Sequence, residues 1–139
     1  MANYYESARS NYFKVKDLEA FKEDLDKFDG IQIVDGDSAD PNRAGRVCLL
    51  ATDESFPSEC YDDNGDEIPD MTLDKVIAKH LTEDSVFIAM GAGAEKLRYI
   101  CGWAYAIDCT GEMVHINLDN IYELAKAKFE GKEVTGAQY

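Results

Sequence analysis

The sequence has little of what would place it at once in a known class of protein. Among its 139 residues are three prolines, two histidines and four cysteines. No stretch approaches the roughly 20 consecutive apolar residues of a membrane-spanning helix, and the N-terminus MANYYESARS has no apolar signal region. We therefore expect a soluble, cytoplasmic protein.

The cysteines also lack the spacing of a metal or redox motif. No C-x-x-C pair occurs among Cys48, Cys60, Cys101 and Cys109, so no zinc site is predicted. In a chain without a leader, such cysteines are expected to be reduced thiols. Cys101 is in phase with the apolar residues of a predicted strand, which indicates a buried, inert thiol and not a nucleophile.

Positive charge is scarce. The chain carries 28 Asp and Glu against 14 Lys and Arg, a formal net charge of -14. Phosphates and anionic membranes repel such a surface, which disfavours direct contact with nucleic acid or lipid. A basic protein or a basic groove would be attracted to it, most strongly at low salt. We expect a basic nucleic-acid-binding protein as partner, with the oligomeric state left open.

The apolar content is sufficient for a core. Hydrophobic residues make up 45% of the chain, including eight Tyr, six Phe and one Trp, which argues against disorder. A chain of this length forms one ordinary domain, here 1–139, and no internal repeat is apparent.

Hydrophobic periodicity predicts an α+β fold. Strands are expected over 7–16, 31–34, 46–52, 85–90, 97–108 and 113–118, with a turn at GAGAE (91–95) and a hairpin turn at Thr110-Gly111. Helices are expected from Asp17 to Gly30, from Asp70 or Thr72 to just before Asp84, and from Asn117 or Asp119 to Gly131. This order predicts an antiparallel sheet with a ferredoxin-like βαββαβ core, an extra C-terminal hairpin and helix, an acidic hairpin insertion at 53–69, and a loose tail at 132–139.

The segment DESFPSECYDDNGDEIPD (53–70) holds eight carboxylates and no Lys or Arg. Its Asn64-Gly65 pair predicts a type I′ turn between two short strands. The match to a calcium loop fails in detail, because counting from Asp62 places Glu67 where glycine is required and Thr72 where a bidentate Glu is required. A calcium-dependent module stays open as a further alternative, which thermal stability with and without a chelator would test. No metal or cofactor is predicted. A catalytic pair of carboxylates would need one acid in an apolar pocket, whereas these acids neighbour glycine, proline and serine.

Two interpretations of this segment remain open, a solvated loop and a surface read by a basic partner. Nine acids without a base between 53 and 74, interleaved with Phe56, Cys60, Tyr61 and Ile68, favour the partner surface, because the rings would add contact area to the charge. The predicted partner-binding residues are Asp53, Glu54, Glu59, Tyr61, Asp62, Asp63, Asp66, Glu67 and Asp70.

Other residues could carry a different function. A pocket beside Trp103, Tyr105 and His115 would define a small enzyme or a ligand-binding domain, although no nucleophile and base have a diagnostic spacing. His80 falls on the apolar face of its helix, which favours a core histidine over a ligand. We predict no catalytic residue and no enzymatic activity.

Three stretches, NYYESARSNYFKVKD, GAEKLRYICGWAYAID and INLDNIYELA, resemble a group of small acidic proteins carried by bacterial plasmids and phages. Proteins of this size and charge from such elements include antirestriction and anti-CRISPR inhibitors, some of which imitate DNA. The resemblance implies a non-enzymatic inhibitor that occupies a basic nucleic-acid-binding groove, and it assigns no site residues.

Overall fold

The computed structural model describes residues 5–53, 55–95 and 99–137. Within them, eight strands are β1 Tyr5–Ser10, β2 Ile31–Asp35, β3 Val47–Ala51, β4 Glu59–Tyr61, β5 Glu67–Thr72, β6 Phe87–Glu95, β7 Tyr99–Ile107 and β8 Met113–Asn117. Three helices are α1 Leu18–Leu25, α2 Leu73–His80 and α3 Asn120–Lys128. The protein is α+β, as the periodicity predicts.

Six strands form one antiparallel sheet in the order β2-β3-β1-β6-β7-β8, and β4 pairs with β5 in a separate hairpin. The predicted turn at GAGAE is wrong, because residues 91–95 continue β6 and pair with β7. Glycine favours turns, but here Gly91 lies directly opposite Trp103, whose ring occupies the space that a side chain would take.

The first strand is shorter than predicted. It ends at Ser10, whose hydroxyl accepts the backbone N–H of Leu49 at 2.8 Å. Beyond it, Phe13 and Val15 form only isolated bridges, to Val47 and Leu81. The alternation of residue types continues past Ser10 and therefore predicts a longer strand. At Ser10, however, the side-chain hydroxyl, and not a backbone carbonyl, accepts the N–H of Leu49 on β3.

The cap of α1 is as predicted. The Asp17 carboxylate accepts the backbone N–H groups of Glu19 and Ala20 at 3.1 and 3.3 Å, which satisfies two donors that no helical carbonyl can reach. Gly30 follows the helix with a φ of +86°, a left-handed conformation that favours glycine.

The core lies between one face of the sheet and the helices α1 and α2. Phe13 packs edge to face against Phe21 and Phe87, at centroid distances of 5.8 and 5.1 Å. Leu49 from the sheet and Ile77 from α2 are fully buried in the same cluster. Each such side chain stabilises the fold by about 1.5–3 kcal/mol.

The C-terminal part of the molecule is less covered. The predicted last helix is confirmed, but none of its residues is buried. Met90, Val114 and Ile116, on the sheet face away from the core, are exposed. Cys101 is exposed too, contrary to the prediction, because alternation along a strand fixes a side chain's face but not how far the helices cover that face.

None of the helices in the described ranges is both long and apolar enough to span a bilayer.

Candidate functional site

The acidic segment forms the predicted hairpin, but with another turn. Gly65 N–H donates to the carbonyl of Asp62 at 3.0 Å, and Asp62 N–H donates to that of Asp66 at 2.8 Å. Gly65 has a φ of +84°, whereas Asn64 does not have the positive φ that a type I′ turn requires. The connection is therefore a three-residue loop with glycine in the left-handed position. The sequence pair Asn-Gly fits both turns, so it could not distinguish them.

The carboxylate of Asp62 builds this turn. Its Oδ1 accepts the backbone N–H groups of Asn64 and Asp66 at 2.9 and 3.0 Å. Asp108 repeats the arrangement in the β7–β8 turn, where it accepts from Thr110 and Glu112 and precedes Gly111, with its φ of +88°. Asp62 is thus a structural residue as well as part of the acidic surface.

The apolar residues of the segment anchor the hairpin to the core. Cys60 is fully buried, and its thiol lies 3.5 Å from the carbonyl oxygen of Met71. Phe56 and Ile68 pack against the same core. Cys60 therefore offers no contact area to a partner, contrary to expectation, whereas Phe56 and Ile68 are only partly buried. Tyr61, 51% exposed, is the aromatic residue that faces outward.

The predicted acidic residues that the structure describes are all exposed, and all but Asp53 fall into two groups. Asp62, Asp63, Asp66 and Glu67 lie together at the hairpin tip beside Tyr61, which is opposite Glu67. Glu59 and Asp70 lie nearer the start of α2, and Asp70 has a φ of +60°, which aspartate tolerates better than most residues. Asp53 lies apart, beside Gly30, and Glu54 falls outside the described residues.

No lysine or arginine neutralises these acids within the described part of the chain. The ion pairs formed there use Asp24 and Asp40 as their carboxylates, at distances up to 3.7 Å. The hairpin tip therefore presents to solvent a negative charge that none of the described lysines and arginines pairs with.

A cleft of about 510 Å³ opens between the segment before β4, the start of α2 and the sheet. The residues that matter for its chemistry are Phe56, Asp74, Trp103, Tyr105 and Met113. The rings of Trp103 and Tyr105 are nearly parallel, with centroids 5.8 Å apart. Burial, together with the negative charge of Asp74, raises the pKa of Tyr105 to about 12, so its hydroxyl stays protonated.

The pocket expected beside Trp103, Tyr105 and His115 is thus only partly correct. His115 lies opposite Tyr105 on β8, but it is exposed and does not line the cleft. Among the described residues, the polar groups that line the cleft include neither a histidine nor a thiol to pair with Asp74.

The position of Trp103 depends on one residue of the adjacent strand β6 and one of β1, the strand beyond it. Its indole N–H donates to the Glu6 carboxylate at 2.8 Å, and its ring lies against Gly91. Sequence reasoning noticed Trp103 but missed Glu6, which is 97 positions away and reaches it only through the pairing of β1, β6 and β7. It also left Asp74 without a role.

His80 is a buried residue, as predicted from its helical position. Its Nε2 lies 2.6 Å from Asp24 Oδ2, which joins the end of α2 to α1. This hydrogen bond lowers the pKa of Asp24 below its ordinary value, although burial acts in the opposite direction.

In the part of the chain that the structure describes, no three His, Cys, Asp or Glu side chains are grouped so that they could hold a metal ion. No protein-family model matches the sequence, and comparisons with curated proteins and with solved structures give no significant match.

Proposed function

We propose that this protein is a non-enzymatic inhibitor whose acidic hairpin occupies the basic nucleic-acid-binding groove of another cytoplasmic protein. The observation that carries the proposal is the hairpin tip, where Asp62, Asp63, Asp66 and Glu67 are exposed and none forms an ion pair with the described Lys and Arg residues. The resemblance to small acidic plasmid and phage proteins favours a host-defence complex as the target, of the kind blocked by antirestriction or anti-CRISPR inhibitors.

The mechanism is competition between carboxylates and phosphates. Lysine and arginine side chains that hold nucleic acid pair equally well with carboxylates, and one-signed charge accelerates encounter at low salt. Burial of Cys60 and the turn hydrogen bonds of Asp62 hold the hairpin in one conformation. Such preorganisation lowers the entropy lost on binding.

We also propose that β1, α1, β2, β3, α2 and β6 form a ferredoxin-like unit to which β7, β8 and α3 are added. The order β2-β3-β1-β6 within the sheet, the antiparallel pairing and the placement of the two helices on one face support this assignment.

A pair of charge-reversal variants tests the proposed function. The first carries Asp63→Lys, Asp66→Lys and Glu67→Lys, and leaves Asp62 to build the turn. The control carries Glu123→Lys, Glu130→Lys and Glu133→Lys, three exposed acids in and after α3. Each variant changes the charge by +6, from -14 to -8, so a difference between them reports the location of the charge.

The variants are compared by capturing nucleic-acid-binding proteins from a bacterial lysate and measuring their DNA binding by gel shift. The native protein and the control should release DNA from the captured complex, whereas the hairpin variant should need at least tenfold more protein, since several charge pairs are reversed. If DNA stays bound at saturating native protein, or the two variants inhibit equally, the proposal is wrong.

A further inference from the structure

We propose that the cleft at Trp103 binds a planar cation, the guanidinium group of an arginine side chain on the basic partner. This inference rests on the proposed function only in assuming that the partner is basic. It assigns to the cleft the recognition of one side chain, while the hairpin tip supplies general attraction.

The floor of the cleft is aromatic. A Cβ on Gly91 would approach the Trp103 ring to 2.5 Å, so the absence of a side chain there lets the indole lie close against β6. Its N–H is bound by Glu6, which fixes the ring in its plane. The face of an aromatic ring is electronegative and attracts cations, and a guanidinium group can stack flat on it.

Carboxylates flank this floor. Asp74 lines the cleft, and Glu6 lies at the indole nitrogen. Glu6 and Asp53 also line an adjoining depression, which shares Ser55 with the cleft. Among the described residues, neither cavity is lined by Lys or Arg. The electrostatic potential of the cleft therefore favours a cation over a neutral ring or an anion.

The apolar walls and the aromatic floor of the cleft favour arginine over lysine. Phe56 and Met113 are apolar, and the cleft volume of about 510 Å³ leaves room for the aliphatic part of an arginine side chain beneath its charged head. Lysine carries the same charge, but its ammonium is strongly hydrated and cannot stack on a ring. Arginine should therefore be preferred.

Two fluorescently labelled peptides of equal length, one of arginines and one of lysines, provide the test. Their affinities are measured by anisotropy at one salt concentration. Trp103 is the chain's only tryptophan, so its emission reports on the cleft alone. The arginine peptide should bind about fivefold more tightly and change the tryptophan emission, whereas the lysine peptide should bind without that change.

Variants separate the cleft from the hairpin. Asp74→Asn and Trp103→Leu should each reduce the arginine preference to less than twofold and leave the affinity for the lysine peptide unchanged. Far-ultraviolet circular dichroism shows that each variant is folded. The triple lysine variant of the hairpin tip should weaken both peptides by a similar factor and keep their ratio.

Several outcomes overturn the proposal. Equal binding of both peptides by the native protein, an arginine preference without any change in tryptophan emission, or a preference unaffected by Asp74→Asn and Trp103→Leu would each exclude the cleft as the arginine site. If both peptides bind the native protein equally and both bind the hairpin variant more weakly, the cleft proposal is wrong but the proposed function is still supported. An arginine preference with affinities unchanged in the hairpin variant would instead support the cleft and contradict the hairpin's role.

Discussion

Asp24 joins the two helices through a single carboxylate. Besides His80, it has Lys79 at 3.5 Å and Lys27 at 3.7 Å, and its side chain is 18% exposed. A hydrogen bond and two nearby cations favour the charged form of this carboxylate. The consequence is a contribution to stability that depends on pH.

We expect that contribution to disappear in acid. Because the folded-state pKa of Asp24 is lowered, the stabilisation is fully present above the unfolded pKa, near 3.8, and is lost as the pH falls through the lower folded value. Asp24→Asn should lower the free energy of unfolding by about 1 kcal/mol at pH 7, the difference between a charged and a neutral hydrogen bond.

Urea unfolding at pH 7 and at pH 3 measures this effect, with Glu23→Gln on the exposed side of the same helix as control. The difference between native and Asp24→Asn proteins should shrink at pH 3. A difference that is the same at both pH values would contradict the role of the Asp24 charge.

At the scale of elements, two hairpins share one turn design. In both, an aspartate accepts backbone N–H groups across the loop and a glycine follows three positions later in the left-handed conformation. The sequences DDNGD and DCTGE thus specify a turn through the aspartate side chain as well as through glycine.

Asp62→Ala should therefore loosen the hairpin tip, while Asp63→Ala should not. The loss of two accepting contacts should cost about 1 kcal/mol and accelerate amide hydrogen exchange at Asn64 and Asp66 roughly fivefold. Amide exchange followed by NMR measures both variants, which lose the same charge. Equal exchange rates in the two would show that the Asp62 carboxylate does not hold the turn.

The acidic hairpin could be predicted from the sequence. Which of its side chains are buried and which are exposed could not. The Asn64-Gly65 pair located the turn and, with it, the two short strands on either side. Packing against the core determines which side chains face inward, because Cys60 and Ile68 contact the core whereas Tyr61 is exposed. For the same reason, GAGAE could be assigned to a strand only once Trp103 was seen to lie over Gly91.

At the scale of the whole molecule, charge is poorly balanced. A net charge of -14 on 139 residues is accompanied, among the described residues, by ion pairs at only two carboxylates, Asp24 and Asp40. Self-repulsion of this kind destabilises a compact state, and salt screens it.

The thermal unfolding midpoint should therefore rise by several degrees between 10 mM and 300 mM sodium chloride. Both triple lysine variants, at a charge of -8, should show a smaller rise. Calorimetry at each salt concentration measures the midpoints. A midpoint that is independent of salt in the native protein would show that its acids do not repel one another appreciably.

By itself, the sequence determined most of the helices and strands, though not the strand at GAGAE or the end of β1, because periodicity, the Asp17 cap and the turn glycines act over a few neighbouring residues. It also determined that the acidic segment forms a hairpin with charge of one sign. Only the tertiary structure decided that Glu6 meets Trp103, that Asp74 borders the same cleft and that Cys101 stays exposed. Those relations follow from strand pairing across the sheet and from the extent of the helix layer, which no local pattern encodes.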